Sequence, residues 1–330
     1  MGRVEGWRTP IRERRRLAET DSGGVAPAFA AAVGASEAFL YHTDTHVMAG
    51  LRSSGLSLWR PDHSWLEADD TEPNIEFLPS ALWLVGLGNL GQAYLWSLTC
   101  LSYADRKAVR LILQDFDRIT LANESTSILT SKEMVGRLKT RAVAEWLEKR
   151  GFQVSLEERH FGEWSRRGPH DPAVALCGVD NALARSALEQ AGFGLVVEAG
   201  LGNGPEAFQN FSLHTFPSSL SAARLWSKDG HSQSPKALPR AYSPEKLPEL
   251  DQCGIVQLAS RSIAVPFVGL SAALFAIAEL LRRLHGGTAF QLVSTSVAVL
   301  EDVETIAQDV EPYAFGYVLA GQPNLPATVV

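Results

Sequence analysis

The sequence predicts a doubly wound α/β domain on a mostly parallel sheet, and three observations carry that expectation. The first is a buried apolar run, Leu82-Trp-Leu-Val, which breaks at Gly86-Leu-Gly88-Asn-Leu-Gly91 and passes into a helical pattern. The second is another apolar run, Val109 to Leu113, followed at once by two carboxylates, Asp115 and Asp117. The third is the continued alternation of short apolar strands with helical segments, which calls for crossover connections and therefore parallel pairing. This domain is expected over residues 79–330, behind a partly helical N-terminal extension of residues 1–78.

Taken in order, the extension begins with Arg12, Arg14, Arg15 and Arg16, followed by an alanine-rich helical segment from Val25 to Leu40. Arg60-Pro-Asp-His-Ser and Glu67-Ala-Asp-Asp-Thr-Glu-Pro are polar and turn-rich, so they are expected at the surface; Trp59 and Trp65 are expected to pack. Leu82 to Val85 is the first core strand, Gln92 to Leu101 a helix and Val109 to Leu113 the second core strand. Lys139 to Arg150 spaces Val143, Trp146 and Leu147 along one helical face, and Gly151 ends it. Ala173 to Cys177 and Leu195 to Ala199 are buried strands flanking a helix from Asn181 to Ala191. Phe208 to Phe216 alternates apolar and polar residues, as an antiparallel strand with one wetter face does.

Pro217 to Leu250 is long, irregular and rich in Ser, Pro and Lys, a length that compact domains reserve for functional or mobile segments. Ile263 to Ala278 is uncharged but carries Pro266 and Gly269, and it is short of the ~20 apolar residues a bilayer requires. It reads as a core or interface helix. A strand is expected around Gln291 to Leu300, and the tail after Pro312 carries no pattern.

Among 330 residues, 45% are hydrophobic, 20% are charged and 8 are Trp, the profile of a folded globular protein with a sizeable core. A net charge of −7 argues against nucleic acid or an anionic membrane as the partner. Three scattered cysteines, Cys100, Cys177 and Cys253, form no Cys-x-x-Cys pair, which suits a reducing compartment and excludes a cysteine-rich zinc site. The arginine-rich start lacks a following apolar block, so a cytoplasmic location is expected. His42, Asp44 and His46 would share one face of a strand, but no fourth ligand accompanies them and no metal is assigned there.

The glycines point to a phosphate-binding turn. Gly86 permits a tight turn, Gly88 lets a phosphate approach the backbone and Gly91 lets helix and strand pack closely. The helix N-terminus then offers unpaired N–H groups to a polyphosphate, and Asp115 is placed to accept from ribose hydroxyls. On the glycines alone, an NAD- or FAD-dependent oxidoreductase is the leading reading. Lys139 by itself is a helix-start lysine. Asp180 either caps the helix from Ala182 with Asn181 or, at the carboxyl end of a buried strand, faces a ligand.

Beyond the glycines, an ordered set of motifs resembles the ThiF/MoeB-type adenylyltransferases of the ubiquitin-activating superfamily. Gly86-x-Gly88-x-x-Gly91 matches that family's phosphate turn, and Asp115-Phe-Asp117 followed by Asn123 matches its Asp-x-Asp-x-x-x-x-x-Asn element. Gly136-Arg-Leu-Lys139 falls at its Gly-x-x-Lys position, and Asp180-Asn181 with Arg185 at its Asp-Asn-x-x-x-Arg signature. Cys253-Gly-Ile-Val precedes a small-residue helix ending in Glu279-Leu-Leu-Arg, as in the family's last core helix. The match spans roughly Leu82 to Gly287.

The resemblance implies a Rossmann-like fold that binds ATP and magnesium and adenylates the C-terminal glycine of a small ubiquitin-like or sulfur-carrier protein. The expected partner is a β-grasp protein with a flexible Gly-ended tail, threaded under Pro217 to Leu250. A homodimer is expected, with Ile263 to Leu281 or its neighbours in the interface. The implied nucleotide contacts are Gly86, Gly88, Gly91, Asp115, Asp117, Asn123, Lys139 and Asp180. Asp115 would hold the ribose, Asn123 and Lys139 the phosphates, and Asp180 the magnesium ion.

Cys253 either accepts the activated acyl group as a thioester or is a small packed residue. One departure stands out: the family's Arg-Gln pair after the asparagine is replaced by Thr126 and Ser127. Losing one such donor commonly costs ~100-fold in rate. Either Arg118, Arg137, Arg141 or the Arg12–Arg16 cluster substitutes, or adenylation is slow, or the chain is a non-catalytic nucleotide-binding scaffold.

Overall fold

Strands that are apolar on both sides need cover on both faces, and this chain builds a two-sided sheet around them. The structure is a computed structural model describing residues 23–67, 71–202, 207–226, 265–309, 311 and 313–321. The Arg12–Arg16 cluster, Cys253 and most of Pro217 to Leu250 lie outside the described residues. The elements run α1 (Val25–His42), β1 (Phe77–Pro79), β2 (Ala81–Val85), α2 (Asn89–Thr99), β3 (Arg110–Gln114), α3 (Leu121–Thr126), α4 (Lys139–Glu148) and β4 (Gln153–Glu157). They continue as β5 (Val174–Cys177), α5 (Ala182–Ser186), β6 (Leu195–Leu201), β7 (Asn210–Phe216), α6 (Ala222–Leu225), α7 (Pro266–Leu284), β8 (Phe290–Ser296), β9 (Val299–Ala307) and β10 (Tyr317–Leu319).

Eight strands form one sheet in the order β4-β3-β2-β5-β6-β7-β8-β9. The first five are parallel, and β7, β8 and β9 join antiparallel. The fold is thus the doubly wound α/β class that the sequence predicts. The chain walks outward from β2 to β3 and β4, then returns to lay β5 on the other side of β2. That reversal opens a crevice at the carboxyl ends of β2 and β5, where such sheets hold ligands.

One face is covered by α1, α2, α4 and α7, whose apolar residues share a core with Leu82, Leu84, Leu111, Leu113, Leu176 and Val197. Phe29 of α1 meets Phe275 of α7 edge-on at 5.2 Å, so the N-terminal helix is part of this core. The opposite face is thinner, with α5, α6 and the loop after β4 packed over Trp83, Val85, Ala175 and Val196. Away from the main sheet, β1 and β10 form a two-stranded ribbon that seats Tyr317–Leu319 of the tail.

Four local expectations are corrected. Most of the Ile263–Leu281 region is core: Ser271 through Arg282 are buried within the chain, against α1, α2, β1, β6 and β7, and so have no surface to offer an interface. Its apolar residues run round the whole helix, and such a helix is consumed by its own core. The helix expected from Asn181 to Ala191 stops at Ser186. Glu189 turns out to accept from the Ala222 N–H, and Gly192 closes the segment at φ +85°. Gln291 to Leu300 is not one strand but the hairpin of β8 and β9, turning at Val297 and Ala298, where no Gly, Asn or Pro marks it. His42, Asp44 and His46 lie at a helix end and turn, with Asp44 at φ +53°, and not on a strand.

Candidate functional site

The glycine turn is built as its spacing implies. Gly86 leaves β2 at φ +84°, and a Cβ there would meet Val179 Cγ1 at 2.8 Å. A Cβ on Gly91 would sit 1.9 Å from the Gly86 carbonyl oxygen, so α2 presses directly on the turn. A Cβ on Gly88 would meet no protein atom within 4 Å. Gly88 is the N-cap of α2 and opens onto the crevice, so one glycine permits the turn, one the packing, and one leaves room beside the helix N-terminus.

Asp115 follows β3 and is buried at 9% exposure. Its Oδ2 accepts from the Leu87 N–H at 2.7 Å and its Oδ1 from the Asp117 N–H at 2.8 Å, so the carboxylate ties the glycine turn to the neighbouring strand end. Lys139, the first residue of α4, is equally buried; its Nζ lies 2.9 Å from Asp117 Oδ2 and 3.9 Å from Asp115 Oδ2. The backbone makes this approach possible. Ile119 donates to the Arg137 carbonyl and Gly136, at φ +87°, to that of Ile119, closing residues 119–137 into a loop that returns Lys139 to Asp117.

Asp180 is exposed beyond the end of β5, one residue after the Val179 that borders Gly86. It does not cap α5: Asn181 does, accepting from the Leu183 and Ala184 N–H groups. Among the described residues Asp180 pairs with no cation, and no cluster of three or more His, Cys, Asp or Glu is arranged to hold a metal. A magnesium ion commonly takes one or two carboxylates and completes its shell with phosphate oxygens and water, which is the chemistry a lone carboxylate at a phosphate turn fits.

Asn123 has a structural task. Its Oδ1 accepts from the Thr120 N–H at 2.9 Å and from the Thr120 hydroxyl, forming the capping box of α3. Thr126 and Ser127 end that short helix. The three local arginines are engaged elsewhere: Arg118 donates to the Gly136 carbonyl, Arg137 pairs with Glu145 and Arg141 with Glu158. Hydrogen bonds from Lys149 and Arg137 lower the Glu145 carboxyl to about 2.

Sequence reasoning passed over two contributors. Gln92, 1% exposed on α2, donates to the Leu87 carbonyl and accepts from the Leu129 N–H, linking the turn to the segment after α3. A polar residue at a core position of an amphipathic helix was its only signal. Phe116, half exposed between the two aspartates, stacks on His160 at 4.1 Å. Cys100 and Cys177 offer no thiolate: burial raises their thiols to about 11 and about 12.

Comparison with known proteins adds independent findings. Residues 78–287 match the BilD C-terminal domain family and residues 3–58 the BilD N-terminal domain family. The bacterial E1-like protein BilD of Collimonas sp. (strain OK412) is 52% identical over 330 residues, covering 98% of this chain and 71% of that protein. Among solved structures, E. coli MccB is similar at 12% identity and a TM-score of 0.46, over 69% of this chain and 64% of that one, just under two thirds of its length. The E. coli tRNA N6-threonylcarbamoyladenosine dehydratase TcdA is similar at 12% identity and a TM-score of 0.40, over 62% of this chain and 87% of its own. Among the described residues, no helix is long and apolar enough to cross a membrane.

Proposed function

The chain belongs to the BilD family, and on that premise we propose that it is an E1-like adenylyltransferase that uses magnesium and ATP to activate a protein carboxylate. The observation that carries this reading is that Asp115 ties into the Gly86 turn through the Leu87 N–H and stands 3.9 Å from the Lys139 ammonium, at the sheet's switch point. A dinucleotide site needs the turn and the acid alone. A buried lysine added to them supplies positive charge where a triphosphate collects negative charge.

In this reading ATP supplies an electrophilic α-phosphorus and a pyrophosphate leaving group. The N–H groups at the start of α2 face the phosphates. Asp115 keeps Leu87 in place while its remaining lone pairs meet the ribose. Lys139 exchanges its pairing with exposed Asp117 for phosphate charge, an exchange that keeps the buried ammonium neutralised throughout. Asp180 would hold the magnesium ion, which would neutralise phosphate charge. The acceptor carboxylate is the C-terminal glycine of a small ubiquitin-like or sulfur-carrier protein; it displaces pyrophosphate to form the acyl–adenylate, and the Cys253 thiolate, its proton lost to solvent, then takes the acyl group as a thioester and releases AMP. A homodimer and a cytoplasmic setting complete the proposal.

A second reading, a nucleotide-binding scaffold without turnover, is favoured by one specific observation. Thr126 and Ser127 replace the expected donors, and Arg118, Arg137 and Arg141 are each committed to other partners. Two measurements separate the readings. Calorimetric titration with ATP, and with NAD as the control, is expected to show ATP binding that Lys139→Ala removes; equal affinity of the variant would take Lys139 out of the site. Carrier-dependent exchange of labelled pyrophosphate into ATP then reports turnover. ATP binding without exchange, for any authentic carrier, would establish the scaffold.

A further inference from the structure

The face of the sheet opposite α7 carries a buried charged group that the site described above does not use. Glu198, in the middle of β6, is fully buried. Its Oε1 lies 3.1 Å from Arg185 Nε, and its Oε2 lies 3.1 Å from Nδ1 of His214, directly opposite on β7. Arg185 projects from α5, and the same Nε donates to the Val179 carbonyl at 2.8 Å. Its guanidinium lies 4.5 Å over the Trp226 ring, which in turn meets His214 edge-on. Both terminal nitrogens of Arg185 stand 3.4 Å from where a Cβ on Gly200 would be, so β6 is bare beneath them.

A buried carboxylate is costly unless it is paired and hydrogen-bonded, and replacing it with an apolar residue is often neutral or stabilising. The arrangement therefore needs a reason beyond stability, and its geometry supplies one. The group that Arg185 grips is the carbonyl of Val179, whose side chain already borders Gly86 and whose next residue is Asp180. Three backbone segments meet at one guanidinium: the turn leaving β5, the β6–β7 pair and α6.

We propose that Arg185, anchored by Glu198, is a positioning residue that fixes the Val179–Asp180 peptide against the Gly86 turn and so aims the Asp180 carboxylate into the crevice. The proposal rests on the reading of Asp180 as the cation ligand. A planar guanidinium suits the task because one rigid group can donate to a carbonyl, stand in ion-pair contact with a carboxylate and stack on a ring. The consequence is selective. Without Arg185, the glycine turn, Asp115 and Lys139 keep their own contacts, whereas the carboxylate that completes cation binding loses its support.

The test uses the full chain and compares wild type with Arg185→Met, Arg185→Lys and the double variant Arg185→Met/Glu198→Gln. The double variant removes the stranded buried charge that threatens folding in the single one. ATP is titrated calorimetrically with magnesium and again in EDTA, and bound Mn2+ is followed by its electron paramagnetic resonance spectrum. The expected result is at least a tenfold loss of magnesium–ATP affinity in both Met variants, with metal-free ATP binding changed less than twofold. A broadened, altered Mn2+ spectrum should accompany it, and Arg185→Lys should recover part of the loss.

Metal-dependent affinity unchanged in the Met variants, with only the melting temperature lowered, overturns the proposal. Equal losses with and without metal overturn it too, since the effect would then belong to the whole turn. Wild-type affinity that is the same in magnesium and EDTA sinks the assignment of Asp180 itself, before any variant is compared.

Discussion

Two alanines, at Gly88 and Gly91, separate packing from phosphate binding within a single turn. In Gly91→Ala the new methyl would lie 1.9 Å from the Gly86 carbonyl oxygen and 2.8 Å from its carbon, both backbone atoms. Restoring an ordinary contact of roughly 3.5 Å requires α2 and the turn to part by about 1.5 Å. Because α2 also carries Leu90, Tyr94, Leu95 and Leu98 into the core, that opening propagates. Overpacking of this kind costs about 1–3 kcal/mol, or about 2–12 °C in melting temperature at ~2–4 °C per kcal/mol. Misplacing the turn by an ångström should also weaken nucleotide binding strongly.

Gly88→Ala is the contrasting perturbation. Its φ of −78° lies outside the left-handed region, and the methyl meets no protein atom within 4 Å. Only a weaker N-cap is lost, at less than about 1 kcal/mol. The methyl nevertheless stands where a phosphate would approach. Differential scanning fluorimetry and ATP calorimetry on both variants are decisive. Gly91→Ala is expected to lose stability and affinity together, whereas Gly88→Ala keeps its melting temperature within about 4 °C and loses at least ~10-fold in affinity. Wild-type ATP affinity in Gly88→Ala would refute the phosphate role of the turn, and unchanged stability in Gly91→Ala would refute the wedge.

Other expectations follow from the packing and the buried charges. Phe29→Ala removes a fully buried ring that meets Phe275 and should cost about 3–5 kcal/mol in urea unfolding; a loss near zero would detach α1 from the core. Glu279 accepts from Arg282, from Arg283 Nε at 2.7 Å and from the Phe290 N–H, all in the interior. Glu279→Ala strands two guanidiniums and should cost about 3–5 kcal/mol by the same measurement, with a milder outcome arguing that the arginines find water. In a Cys253→Ala chain, which leaves two thiols, maleimide at pH 8 should leave buried Cys177 unlabelled until denaturant is added and label half-buried Cys100 only slowly. Their thiols, raised by burial to about 11 and about 12, hold only about one part in a thousand thiolate or less at that pH; rapid native labelling would contradict their burial.

Much of the fold was legible because its signals are local. Leu82 to Val85 and Ala173 to Cys177 are continuous apolar runs, and a strand buried on both faces can hardly read otherwise. The glycine turn was legible for the same reason: positive φ at Gly86 and the Gly86–Gly91 contact depend on the absence of a side chain. Where such markers fail, so does the reading. The β8–β9 hairpin turns on Val297 and Ala298, and beyond the end of α5 Glu189 bonds to the distant Ala222, a contact no local window contains. The apolar Ile263–Leu281 stretch is as compatible with an interface as with a core, and only the helices laid around it decide.

By itself, then, the amino-acid order determined which segments are strands and helices, where the backbone must be bare and which side chains carry charge at strand ends. Those properties arise within a few residues. The tertiary structure alone decided that Lys139 closes on Asp117 and Asp115 and that Arg185 reaches Glu198. Each of those is a contact between elements, and its existence depends on strand order and crossover geometry, which place residues far apart in the chain within 4 Å of one another.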